Sequence, residues 1–163
     1  MTSALTLPGG STMTSSWPDT HPGADALPGQ LDRWLAAHGA ELVAVRRHIH
    51  AHPELSHQEF QTAALVAEKL TAAGLSPRLL PKGNGVICDI GRGDQVVAFR
   101  ADLDALPMSD PKDVPYRSTV PGACHACGHD VHTTVVLGTG LALAQLAARG
   151  DRALGCARGH RGR

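Results

Sequence analysis

From about residue 31, apolar side chains recur at helical spacing. Leu31, Leu35, Leu42, Val45 and Ile49 fall near one face, and Arg33, Glu41, Arg46 and Arg47 supply the polar side. Pro53 disfavours helical geometry at His52, so this helix should end there. A second helix should follow Ser56-His57-Gln58-Glu59, a capping box in which the Ser hydroxyl and the Glu carboxylate each satisfy a free backbone N–H. Phe60, Ala63, Ala64, Ala67 and Leu70 give it an apolar stripe, and Gly74 is its natural stop. Three strand candidates come next, at residues 77–80, 85–90 and 95–101. Val96, Val97 and Phe99 make the last a near-continuous apolar run, suited to a strand buried on both faces. Gly91-Arg92-Gly93-Asp94 before it has hairpin-turn chemistry. Residues 103–128 read as a long loop punctuated by Pro107, Pro111, Pro115 and Pro121, and such loops are functional or mobile. A third helix is expected over about residues 130–148. Val131, Val135, Leu137, Leu141, Leu143 and Leu146 make it apolar nearly all round, so it should be buried.

Composition narrows the class. The 163 residues fit one domain, and 42% apolar with only 3% aromatic implies an aliphatic core. Residues 1–29 are rich in Ser, Thr, Pro and Gly and read as a disordered leader. Residues 30–150 carry the periodic α/β pattern of helices and short strands. Residues 151–163 turn Arg- and Gly-rich and lose periodicity. A formal net charge of zero gives no electrostatic case for nucleic acid or an anionic membrane. The longest weakly polar stretch, residues 131–148, is broken by His132, Thr, Gly and Gln145, short of a bilayer span on this reading. The N-terminus lacks a basic-then-apolar secretory pattern, which points to the cytoplasm. Four cysteines are too few for a disulfide scaffold, so they are free thiols or metal ligands. Ten histidines, clustered at residues 48–57 and 125–132, direct attention to a metal.

Cys127 and His129 lie two apart, just before the third helix, with Gly128 relaxing the backbone between them. In a turn they can converge on one ion, and thiolate and imidazole both suit zinc and similar ions. A buried free Cys beside a capping His fits the same spacing. Asp130 is placed as an N-cap or as a carboxylate behind a ligand His, while His125 and His132 lie close by. Cys124-His125-Ala126-Cys127 is formally C-x-x-C, open to a redox pair or half a structural zinc site. Asp102 and Asp104 stand at the C-terminal end of the apolar strand candidate, where α/β proteins gather ligands. His48, His50 and His52 alternate at the end of the first helix. His48 and His52 can be neighbours, and a surface or loop-packing role suits all three.

Three segments in order resemble the signatures of one family. They are Arg46-Arg47-His48-Ile49-His50-Ala51-His52-Pro53-Glu54-Leu55-Ser56, Arg100-Ala101-Asp102-Leu103-Asp104-Ala105-Leu106-Pro107 and His125-Ala126-Cys127-Gly128-His129-Asp130-Val131-His132-Thr133. The family is the aminoacylase/carboxypeptidase-type metallo-amidohydrolases, in the branch of hippurate hydrolases, N-acyl-amino-acid amidohydrolases and auxin-conjugate hydrolases. The resemblance covers about residues 30–150. It implies the N-terminal part of an α/β, dinuclear-metal, aminopeptidase-like catalytic domain. It also implies two divalent ions (zinc, manganese or cobalt) and hydrolysis of the amide of a small N-acyl amino acid. Cys127 and His129 match metal ligands, and Asp104 matches an aspartate that orients the site. Asp102 stands where other branches carry a metal-binding His.

The chain departs from the family pattern after the third helix. The family's catalytic Glu and adjacent Glu ligand follow that helix, and this chain has no Glu after Glu68. Later His ligands and the lid domain that pairs subunits into homodimers are also missing from it. The expectation is an incomplete site and an inactive chain, with residues 151–163 read as a frameshifted or misannotated end. The competing reading is a small non-catalytic metal- or thiol-binding module using Cys124, Cys127 and His129.

Overall fold

A computed structural model describes residues 27–91 and 96–148. The leader through residue 26, most of the expected hairpin turn and the tail lie outside the described residues. In order, the elements are α1 (Leu27–Ala51), α2 (Phe60–Ala72), β1 (Arg78–Leu79), β2 (Val86–Ile87) and α3 (His129–Ala148). This is the partial α/β arrangement the pattern predicts, with less sheet than expected.

α1 begins at Leu27, inside the stretch assigned to the leader. Pro28 explains the early start, because a first-turn proline loses no hydrogen bond and already has helical φ. The helix ends at Ala51, as Pro53 requires. α2 also starts near its expected place, but its cap is different. A capping box would need a helix beginning at His57, and His57 has φ +70. Glu59 therefore sits at the N-cap without a side-chain cap bond, and its carboxylate accepts from Asn84 Nδ2 at 3.2 Å. Glu54 does the capping instead. Its carboxylate accepts from the N–H groups of Gln61 (2.9 Å) and Thr62 (2.8 Å) and from Thr62 Oγ1 (2.8 Å). At the other end Gly74 takes φ +79. Its N–H donates to Thr71 and the Leu75 N–H donates to Leu70, the double closure of a left-handed glycine stop.

The core is aliphatic. Val45 and Ile49 of α1, Val66 and Leu70 of α2 and Leu137 of α3 form its centre. Burying a side chain such as Ile49 is worth about 1.5–3 kcal/mol. α1 and α3 approach closely at Gly138, where an added Cβ would lie 2.9 Å from Leu42 Cδ1. Trp34 Nε1 donates to Gln145 Oε1 at 2.6 Å and ties the far ends of the same two helices. The expected stripe of α2 is rotated: Thr62, Ala63, Val66 and Leu70 are buried, while Phe60 and Ala64 are exposed.

Three expectations about apolar runs are overturned. β1 and β2 pair antiparallel, with Arg78 opposite Ile87 and Leu79 opposite Val86. Residues 96–101 form no strand, and Val96, Val97 and Phe99 are 83%, 79% and 62% exposed. A run apolar on both faces becomes a buried strand only between neighbouring strands, and the described residues place none beside it. α3, expected to be buried all round, buries one face and exposes Val131 and Val135. By length and composition α3 is also apolar enough to cross a bilayer, contrary to the sequence reading. In this fold its inner face packs on α1 and carries the buried Asp130.

Asp130 organises the polar interior. It has no exposed surface, and its Oδ2 lies 2.7 Å from His50 Nδ1 and 2.8 Å from Arg46 Nε. His50 is buried as well, so of the surface or loop-packing role read for it the structure keeps the loop packing, against Asp110, Lys112 and Tyr116. Its Nε2 lies 3.2 Å from Asp110 Oδ2 and from Lys112 Nζ. Asp110 further accepts the N–H groups of Ser118 (3.1 Å) and Lys112 (3.2 Å). Tyr116 sets its edge on His50, and the Arg46 and Arg47 guanidinium groups lie 5.1 and 5.0 Å from its ring centre. The Ser118 N–H, opposed by burial and reinforced by Lys112, holds the Asp110 carboxyl well below the usual carboxylate range.

Two predictions follow from these bonds. Glu54→Ala should destabilise the fold by about 1 kcal/mol, the usual worth of an N-cap, while Ser56→Ala should be nearly neutral. Urea unfolding of both variants checks this, and the reverse order would restore the capping box. The depressed Asp110 carboxyl stabilises the fold above its ordinary pKa of about 4 and loses that contribution as pH falls toward the lower folded value. Unfolding free energy should therefore drop between about pH 6 and about pH 3 by more in the parent than in Asp110→Asn. Equal slopes would show that Asp110 is not a source of the acid sensitivity.

Candidate metal centre

The long loop is pinned at both ends. The Ala105 N–H donates to the Glu54 carbonyl at 2.7 Å, alongside a parallel bridge between Leu55 and Ala105. Leu106 and Cys124 exchange backbone bonds of 2.9 and 3.0 Å as an antiparallel bridge. Asp104 thus sits just before one bridge, and Cys127 and His129 just after the other. Gly128 takes φ +80, a conformation side chains resist, and its carbonyl accepts from the Val131 and His132 N–H groups. The glycine turns the chain into α3 so that His129 opens the helix.

His129 Nδ1 lies 2.9 Å from the Asp104 carbonyl oxygen and 3.0 Å from Asp104 Oδ1. A carbonyl can only accept, so Nδ1 carries the hydrogen and donates. In the neutral ring, Nε2 then keeps its lone pair. A carboxylate behind one ring nitrogen, with the other free, is how metal-binding histidines are held. Cys127 is exposed with a free thiol. The structure thus joins Asp104 to His129 and leaves the Cys127 thiol open beside them in sequence.

Other candidates fall elsewhere. Asp102 is half-exposed and pairs with Arg100, while its carbonyl accepts from Thr133 Oγ1. Asp130 is inside α3 and does not cap it; its carboxylate faces His50 and Arg46. His132 is exposed, its ring centre 6.0 Å from that of His129. Cys124 is buried, with Sγ 3.9 Å from the Ser109 carbonyl oxygen, whereas Cys127 is exposed, so the C-x-x-C thiols occupy different environments. His125 is the residue that the sequence named without assigning it a role. It is buried, neither ring nitrogen has a partner among the described residues, and burial pushes its pKa down against the opposing pull of Asp130. Its place in the histidine cluster at residues 125–132 and in the third motif was the signal, and neither reveals an unpartnered ring.

The donor types fit a divalent ion: one open thiol, and one imidazole with its tautomer set by Asp104. The number of donors does not complete a site. Among the described residues, no three of His, Cys, Asp and Glu gather closely enough to hold an ion. That statement covers Asp104, Cys127 and His129, and equally Cys124, Cys127 and His129.

Residues 98–156 match the model of Peptidase family M20/M25/M40, a span that includes Asp102, Asp104, Cys127 and His129. A Synechocystis protein named as a probable hydrolase is 49% identical over 111 residues, covering 66% of this chain and 28% of that protein. The N-acyl-L-amino acid amidohydrolase of Geobacillus stearothermophilus is 44% identical over 108 residues, covering 65% of this chain and 29% of the enzyme. Among solved structures, the Bacillus subtilis YXEP protein, described as a dinuclear metal-binding peptidase of the M20 family, superposes with a TM-score of 0.63. It is 40% identical and the match covers 68% of this chain and 32% of that one. The chain spans between 12% and 29% of the lengths of the curated relatives it matches. Motif order, partial α/β architecture and these matches agree: over residues 98–156 the chain matches Peptidase family M20/M25/M40, and it is similar to part of the length of amidohydrolases and of an M20 peptidase.

Proposed function

We propose that this segment is the part of an M20 amidohydrolase that supplies one half of a dinuclear metal site. The substrate class is N-acyl amino acids, hippurate among them. One observation carries the reading: the Asp104 carbonyl and carboxylate both hold His129 Nδ1 and leave Nε2 free as a ligand. Cys127 and His129 are the donors, and Asp104 orients His129. Zinc, manganese and cobalt all suit this donor set. When bound, such ions lower the pKa of a water and polarise the amide carbonyl. The compartment we propose is the cytoplasm, on the sequence's lack of a basic-then-apolar leader pattern.

Hydrolysis also needs a general base within reach of the attacking water. No Glu follows Glu68. Asp104 is occupied by His129, and Asp130 by His50 and Arg46. The chain alone therefore binds a metal weakly and does not turn over substrate.

Titration with Co²⁺ should give a thiolate-to-cobalt absorption that Cys127→Ser abolishes. Asp104→Ala should weaken binding by about ten-fold or more, the usual worth of a residue that orients a ligand. Cys124→Ala should leave it unchanged; loss of the band in that variant would favour the small thiol-binding module. Hippurate hydrolysis with added Zn²⁺, Mn²⁺ or Co²⁺ should stay at the buffer rate for this chain. It should appear when the chain is extended with the rest of an M20 relative. Turnover by the chain alone would overturn the incomplete-site reading, and an inactive extended form that binds both metals would overturn the substrate class.

A further inference from the structure

The C-terminal end of α1 brings together two imidazoles, His48 in its last turn and His52 one residue beyond Ala51, that neither the buried network nor the Asp104–His129 pair uses. His48 and His52 are four residues apart, so they stand one above the other on the same face. Both are exposed, and their ring centres lie 4.4 Å apart with the planes tilted by 33°. The turn beneath them is closed, because the His52 N–H donates to the His48 carbonyl at 3.2 Å. His52 Nδ1 lies 2.8 Å from that same carbonyl oxygen. The carbonyl accepts, so Nδ1 donates and, in the neutral ring, Nε2 keeps its lone pair. One of the two rings is thus already oriented as a metal ligand is, by a hydrogen bond behind its other nitrogen.

Three further features favour a cation at this place. Two histidines at this spacing on one helical face are a recurrent chelating pair for divalent ions. The pair sits at the C-terminus of α1, where the unpaired carbonyls carry the negative end of the helix dipole. It also borders a concavity whose wall includes Ile49, Gln61, Thr62 and Leu65, so an ion there would be partly shielded from solvent. Nitrogen ligands lie about 2.0–2.1 Å from zinc, which sets two on one ion roughly 3 Å apart. Ring centres 4.4 Å apart place the two imidazoles in the range of that spacing.

We propose that His48 and His52 form a second, surface metal site that takes a borderline divalent ion such as Ni²⁺, Cu²⁺ or Zn²⁺ through two imidazoles, with water completing the shell. The site holds no thiolate and is separate from Cys127 and His129. It stands whether or not the amidohydrolase reading does, and the two fail in different variants.

The test is equilibrium titration of the full chain with Ni²⁺. Binding should survive Cys127→Ser with little change. His48→Gln and His52→Gln should each weaken it by at least about ten-fold, because losing one arm of a chelate removes the effective concentration of the second contact. His57→Gln, an exposed histidine outside the pair, should leave it unchanged. A second measurement needs no variant: Ni²⁺ should protect His48 and His52 of the parent chain from acylation by diethyl pyrocarbonate. Unchanged affinity in both single variants, loss that follows Cys127→Ser, or acylation of both rings at the metal-free rate would each overturn the proposal.

Discussion

A carboxylate removed from water must be met by charge and hydrogen bonds, and the structure is built around one such group. Asp130 is fully buried and shares a single oxygen between His50 and Arg46. Removing one partner of a buried pair costs about 3–5 kcal/mol, because the other charge is left without compensation. The consequence is geometric as much as energetic. His50 and Arg46 are on α1, Asp130 is on α3, and Asp110 brings the intervening loop onto the other nitrogen of His50. The three pieces that frame the candidate metal centre are held by one imidazole.

The same economy appears at Glu54. Its carbonyl receives the Ala105 N–H and pins the loop next to Asp104. Its carboxylate caps α2 through three bonds. One residue therefore sets both where α2 begins and where Asp104 stands. Asp104 in turn fixes the tautomer of His129, so the free Nε2 traces back to a backbone bond made just beyond the end of α1. Asp130 is the next residue after His129, which places the buried network and the candidate ligand on a single helical turn.

Local structure was legible where it depends on adjacent residues. Periodicity placed all three helices, Pro53 marked the end of α1, and Gly74 closed α2 with the predicted left-handed stop. Gly128 did between Cys127 and His129 what a residue without a side chain is expected to do. The errors share one cause. The Ser56–Glu59 box is a sound local signal, but a positive φ at His57 and a distant partner for Glu59 overrode it. Val96, Val97 and Phe99 have the composition of a buried strand, yet burial requires neighbouring strands that no local run can supply.

The sequence by itself determined the helices, the turn glycines, the motif order that carries the family resemblance, and the residue types at the candidate metal centre. It did not determine which histidine goes inside. His48, His50 and His52 alternate along one turn and look alike in the sequence. Only the fold buries the middle one, against carboxylates 60 and 80 residues away, and leaves the outer two as a surface pair. Spacing encodes which face of an element a residue occupies. What that face meets is settled by chain segments far apart in sequence, brought together by packing.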